Sequence, residues 1–363
     1  MSPTGTTTPL IVNALGQLDN PNTPASRAAA AQLNPSSSQL TVDARAIADA
    51  HASGLTAVNI TLGYTVGGLP PYEHTMEDIA AWDRLIDNYP GDLLKVRTAA
   101  DIRRAHDEGR IGVIYGFQNA VAIGEDPGLL DSRAAAFATA GVRVIQLTYN
   151  QANHLGDGSM SPANRGLTPF GRQVVDALND HHVMVDLSHS GENTCLQAAC
   201  HSRVPVSINH TGCRAVADLP RNKTDAELRL VASQGGFVGI YFMPFLNLSG
   251  HATAADVVDH IVHAVNVCGE DHVGIGTDGS ITAVDDLDAY HTALAGHITA
   301  RQLAGVGAAG ERADTYPFIV DLRGVDQFRD LIHLLEKHGY RSGRIEKIMG
   351  RNFLDYADRA WTT

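Results

Sequence analysis

The chain has 363 residues, 44% of them hydrophobic, with 40 acidic against 27 basic side chains and a formal net charge of −13. That balance, with no basic tail or run, argues against a nucleic-acid or anionic-membrane partner. Its four cysteines, Cys195, Cys200, Cys213 and Cys268, include no CxxC pair, so a zinc ribbon has no support and reduced thiols in a cytoplasmic protein are expected.

The chain opens with MSPTGTTTP, a polar segment read as a disordered tail over 1–9. It lacks the basic start and apolar run of a signal peptide, and no later stretch approaches the roughly 20 apolar residues that span a bilayer. Residues 10–363 read as a single domain. Short apolar, β-branched runs follow at 10–15, 57–62, 111–117, 142–149, 183–189, 205–210, 236–243 and 272–279. They are nearly continuous in apolar character, as strands buried on both faces are. Helical patterns precede several of them: SQLTVDARAIADAHASG, TAADIRRAHDEGR, DSRAAAFATAG, TPFGRQVVDALNDHH and DAELRLVASQG. Further helical patterns, DDLDAYHTALAGHITARQLAG, VDQFRDLIHLLEKHG and SGRIEKIMGRNFLDYADRAW, follow the last strand. Eight strands alternating with helices predict a (β/α)8 TIM barrel with extra C-terminal helices. A doubly wound open sheet is the alternative, without a Gly-rich dinucleotide fingerprint to support it.

In such a barrel the chemistry belongs at the C-terminal ends of the strands. Those ends carry Gln118, Tyr149, His189, His210 and Asp278. Neutral imidazoles are good zinc ligands, and a nearby carboxylate can bind metal or take a proton from water. A single histidine at a strand end is more often a hydrogen-bonded loop residue; two on consecutive strands with an aspartate on the last form a site pattern. His154 follows the fourth barrel strand and is a candidate substrate contact. His106, His181, His182, His201 and His263 read as surface residues.

These residues, together with GVRVIQLTYNQAN, DLSHSGENT, PVSINHTGCRAVADLPRNKTDAEL and HVGIGTDG, resemble the renal (membrane) dipeptidase family, zinc peptidases on a barrel of the metal-dependent amidohydrolase type. The resemblance runs from about Leu10 to Trp361. It implies a site with two zinc ions. His189 and His210 would bind the second zinc, and Asp278 would sit beside the first and the attacking water. Arg221, with its neighbour Asn222, would hold the substrate carboxylate, a role suited to a planar guanidinium fork. The chain also departs from the family. Asn13, Leu15 and Gln17 stand where the first strand's Asp, His and Asp are expected, Gln118 where the bridging Glu is, and Tyr149 where the catalytic His is. A divergent bacterial branch with GFQN and LTYN is expected.

Two zinc ions carry four positive charges and need anionic ligands, so a two-zinc site is not expected. At most one zinc is expected, on His189 and His210 with Gln118 or water, and a metal-free pocket stays open. The expected function is a dipeptidase-like hydrolase of a small amide, a dipeptide or an aminoacyl conjugate. Asp278 would be its general base and Tyr149 its oxyanion donor. Two alternatives stand beside it: a metal-free biosynthetic enzyme catalysing proton transfer, elimination or rearrangement, and a non-catalytic binding barrel. The family resemblance adds a homodimer.

Overall fold

Each of the eight expected apolar runs forms a parallel strand in the computed structural model, which describes residues 9–24, 26, 41–63, 65, 70–303, 305 and 307–362. The tail expected over 1–9 lies outside the described residues as far as residue 8. The strands are β1 (Val12–Asn13), β2 (Ala57–Thr61), β3 (Leu93–Val96), β4 (Ile111–Phe117), β5 (Val142–Gln146), β6 (Met184–Asp186), β7 (Ser207–Thr211), β8 (Phe237–Ile240) and β9 (Val273–Ile275). Their order is β2-β1-β9-β8-β7-β6-β5-β4-β3, and an added β2–β4 pairing closes the ring. That closure makes a (β/α)8 barrel and rules out the open sheet. β3 stands outside the ring, paired to the first half of β4. It was not among the expected strands, because Lys95 interrupts its four-residue apolar run to pair with Asp83 at 2.5 Å.

The connecting helices are α1 (Ala44–Ala52), α2 (Pro71–Asn88), α3 (Ala99–Glu108), α4 (Pro127–Thr139), α5 (Pro169–Asp180), α6 (Glu192–His201), α7 (Asp225–Ser233) and α8 (Ala254–Cys268). After β9 come α9 (Leu287–Leu303), α10 (Gln327–Lys337), α11 (Ser342–Glu346) and α12 (Asn352–Ala360). Helix ends follow local chemistry. Thr98 and Asp101 form a capping box at the start of α3, as Thr224 and Glu227 do at α7. No helix among the described residues is long and apolar enough to cross a membrane.

Two apolar clusters hold the barrel. The larger packs the strands against the helix ring. The smaller gathers strand residues such as Val12, Ile114, Met184 and Phe237 against Phe353 and Tyr356 of the C-terminal helix and Trp361 just past its end. That helix therefore seals the N-terminal end of the barrel, and the opposite end is left for a cavity.

Candidate active site

Asp186, at the end of β6, is fully buried and organises the turn that follows. Its Oδ1 accepts from the Ser188 amide at 3.0 Å, the Ser188 hydroxyl at 2.5 Å and the Asn209 amide at 3.0 Å. The Ser188 hydroxyl oxygen then accepts from the His210 amide at 3.1 Å. One carboxylate thus ties the DLSH turn to β7 and sets His189 beside His210. β7 slips register against β8 between Ile208 and Thr211, where His210 lies. The slip carries the Asn209 carbonyl toward its neighbours. A Cβ at Gly276 would stand 2.0 Å from that oxygen, and one at Gly239 2.1 Å, so both positions need glycine. The GIGxD motif owes its second glycine to this bulge.

His189 Nε2 and His210 Nε2 are 3.0 Å apart. His189 Nδ1 contacts Asn150 Oδ1 at 2.7 Å, and the amide oxygen can only accept, so Nδ1 carries the proton and Nε2 offers its lone pair. The Tyr149 ring stacks on His189 with centroids 4.3 Å apart. Burial, and then the Arg221 guanidinium, hold both imidazoles well below their ordinary pKa, so both are neutral.

Arg221 is 2% exposed and lines the cavity. Its Nη1 donates to the Ser188 carbonyl at 2.6 Å and its Nη2 to the His210 carbonyl at 3.2 Å. Asn222 faces away from the cavity. Its amide donates to the Ala217 and Phe245 carbonyls at 2.7 and 2.9 Å, and Tyr241 donates to its oxygen. Asn222 therefore builds the loop that seats Arg221. Asp278 lies three residues past β9 in the left-handed region, at φ 58°, with its amide donating to the Leu15 carbonyl at 2.9 Å. Burial pushes its carboxyl up to about 6, against the opposing pull of Arg221 and Arg301.

Gln118, Tyr149, His189, Arg221 and Asp278 line one cavity of about 860 Å³ at the C-terminal end of the barrel. His210 does not line it; it is fully buried behind His189. His154 does not line it: its Nδ1 lies 3.6 Å from Glu125 and its ring packs against Phe170. Three contributors were not foreseen. Asn150 sits beside Tyr149 in LTYN, and Asp186 lies in DLSH, so their motifs could have shown them. Arg301 comes from α9, where lining positions 290, 294, 297, 298 and 301 recur at helical spacing.

A two-zinc set does not fit these residues. The Asn13 amide is spent on Thr277, donating to Oγ1 and accepting from the amide nitrogen, each at 2.8 Å. Leu15 is buried and Gln17 exposed. Gln118 Nε2 donates to Thr61 Oγ1 at 2.7 Å. Among the described residues no three His, Cys, Asp or Glu side chains converge as a metal group. The two histidine Nε2 atoms stand 3.0 Å apart, near the about 3.3 Å between two imidazole nitrogens on one tetrahedral ion, and Asn150 orients His189. Arg221, Lys223 and Arg301 all press positive charge on His189, which works against a second cation.

The family model for membrane dipeptidase (peptidase family M19) matches residues 37–295. Dipeptidase verJ of Clonostachys rogersoniana is 32% identical over 218 residues, 59% of this chain and 55% of its own length. An uncharacterized dipeptidase of Schizosaccharomyces pombe is 30% identical over 56% of this chain and 50% of its own. The chain thus spans about half the length of these relatives. An amidohydrolase structure from Pseudomonas aeruginosa superposes with a TM-score of 0.78 at 28% identity, covering 97% of both chains. A metallo peptidase from Rhodobacter sphaeroides, liganded with a phosphinate mimic of the dipeptide L-Ala-D-Ala, shares the fold with a TM-score of 0.74 at 20% identity over 98% of this chain. With its closed parallel barrel, its strand-end histidines and a family match over most of its length, the chain belongs to the membrane dipeptidase family, peptidase family M19, and has the scaffold of a dipeptidase-like hydrolase.

Proposed function

We propose that the protein hydrolyses a small amide bearing a carboxylate, a dipeptide or an aminoacyl conjugate. The observation that carries this reading is the half-buried Asp278 carboxyl, raised to about 6, in one cavity with Arg221 and the neutral His189, which His210 backs at 3.0 Å. Arg221 binds the substrate carboxylate and fixes the scissile bond in the mouth of the barrel. Asp278, ionised near neutral pH, takes a proton from the attacking water as the carbon–oxygen bond forms. It returns that proton to the nitrogen as the carbon–nitrogen bond breaks. Tyr149 donates a hydrogen bond to the carbonyl oxygen as charge develops there. His189 and His210 would hold a single zinc, with Gln118 or solvent beside them, and zinc there supplies Lewis acidity to the pocket. Substrate binding by Asn222 and His154 is indirect in this reading, through the Arg221 loop and the loop after β5. A homodimer is the assembly we expect, and light scattering checks it.

A second reading rests on one observation. If His189 Nδ1 donates to Asn150, its Nε2 accepts from His210 Nε2–H, and the buried His210 Nδ1, which has no hydrogen-bond partner, is left as a bare lone pair. An unpaired acceptor is tolerated better than an unpaired donor, so this tautomer set is self-consistent without metal. The pocket would then serve proton transfer on an anionic substrate. Metal analysis and dipeptide assays with and without chelator separate the two. Bound zinc near one equivalent with chelator-sensitive turnover supports the first. Less than about a tenth of an equivalent, with activity indifferent to chelator, overturns the zinc assignment.

A further inference from the structure

Asp78 sits on the buried face of α2 with Thr75, Ile79 and Trp82, is 5% exposed, and lines the cavity that holds Arg221 and Asp278. Its Oδ2 accepts from the amide of Gly63, two residues past β2, at 2.8 Å. Its Oδ1 is buried without a hydrogen-bond partner, and among the described residues no basic side chain pairs with this carboxylate. Two other acids of the same lining have side-chain partners: Glu311 pairs with Arg301, and Asp19 accepts from the Ser280 hydroxyl. A carboxylate half-satisfied away from water costs the fold stability, and a ligand that donates to it removes the cost. The Cβ–Cγ bond of an aspartate turns easily, so either oxygen can meet a ligand while the other keeps the Gly63 amide. The order of strands around the ring places this acid. β2 lies four steps from β7 in either direction, and β9 and β5 lie midway on the two sides. Asp78 is tied to the turn after β2, whereas Arg221 is held by carbonyls of β7 and of the turn after β6. Asp278 follows β9 and Tyr149 follows β5. An unpaired anion and a buried cation therefore stand on opposite sides of the barrel mouth, with the base and the oxyanion donor of the proposed reaction on the flanks between them. The group that suits an unpaired carboxylate on this wall is a compact cation with several N–H donors, a primary ammonium.

We propose that Asp78 binds the free α-ammonium group of the substrate, so that the site reads both ends of a zwitterion laid across the barrel mouth. Its substrates are then dipeptides or aminoacyl conjugates with an unblocked amine, and amides acylated at that nitrogen are poor ones. The inference rests on the hydrolase reading for the carboxylate at Arg221.

The test uses the full chain, as wild type and as the variants Asp78→Asn and Asp78→Ala. Each is titrated calorimetrically at pH 8 with a phosphinate mimic of L-Ala-D-Ala and with the same phosphinate lacking its amino group, and assayed on dipeptides. Wild type should bind the amino phosphinate about tenfold or more tighter than the des-amino one. Both variants should cut that preference to under about twofold, while their affinity for the des-amino ligand stays within about twofold of wild type. Asp78→Asn keeps the side-chain volume and decides the matter if Asp78→Ala does not fold. Equal affinity of wild type for the two ligands overturns the proposal. So does an Asp78→Asn protein that keeps the preference, or one that loses both ligands equally, as a merely structural acid would. Absence of binding of either phosphinate by wild type also overturns it. Wild type that shows the Asp78-dependent preference but cleaves no dipeptide defeats the hydrolase reading alone and leaves Asp78 as the ammonium site.

Discussion

Asp278 adopts φ 58°, a region that non-glycine residues enter rarely and Asp and Asn more readily than others. Asp278→Asn therefore removes the carboxylate while keeping the backbone turn. In the general-base role proposed for it, Asp278 would act only when ionised. Its folded pKa is raised to about 6, so activity should be full above that pH and fall as pH drops through it. We expect wild-type kcat/KM to show an acidic limb near pH 6. Asp278→Asn should lower kcat by about 10²- to 10⁴-fold and lose the limb, as a pH–rate series would show. Asp78, on α2 and at another wall of the same cavity, tests the same electrostatics through stability. It is buried, accepts from the Gly63 amide at 2.8 Å, leaves its other oxygen unpaired, and has a pKa raised to about 6. Below its unfolded value both states are protonated and no penalty exists. As pH rises through the folded value, burial of the anion costs up to about 3 kcal/mol. Asp78→Asn should thus raise the melting temperature by a few degrees at pH 8 and leave it unchanged at pH 4. Calorimetry at the two pH values checks it, and an equal shift at both would exclude the electrostatic account.

Among the elements, the segment joining β7 to α7 does most to position the site. Lys223 is 2% exposed, lies 3.1 Å from Glu227 of the α7 capping box and donates to the Ser190 carbonyl, one residue past His189. Removing the ammonium strands a buried carboxylate and loosens the turn that carries His189. Lys223→Met should cost about 3–5 kcal/mol in denaturant unfolding and lower turnover as well. An unchanged unfolding midpoint would show that the pair is dispensable. The helices on this side were only partly legible. α7 and α5 announce themselves through Thr caps and amphipathic spacing. α6, starting at Gly191 without a side-chain cap, and α8, apolar over much of its surface, do not stand out from their surroundings in sequence.

At the scale of the whole molecule the barrel has a sealed end and a working end. Phe353 meets Phe237 edge-on, with ring centroids 5.2 Å apart, at the sealed end. Phe353→Ala opens a cavity there and should cost about 3–5 kcal/mol while kcat at low temperature stays at the wild-type value. A large fall in kcat with intact folding would mean that the two ends are coupled. The sequence by itself determined the barrel, because eight apolar runs buried on both faces, each followed by polar residues, leave few other parallel arrangements. It also nominated Gln118, Tyr149, His189, His210 and Asp278, because the strand-end rule converts position along the chain into position in space, while Arg221 came only from the family resemblance. Only the tertiary structure decided the rest. The Asn209 bulge, the Asn150 and Asp186 contacts, the spent amide of Asn13 and the reach of Arg301 all depend on atoms distant in sequence, or on side-chain direction within a few ångströms. A periodicity reports which face a residue occupies. Hydrogen-bond partners follow from distances and angles that exist only once the ring has closed.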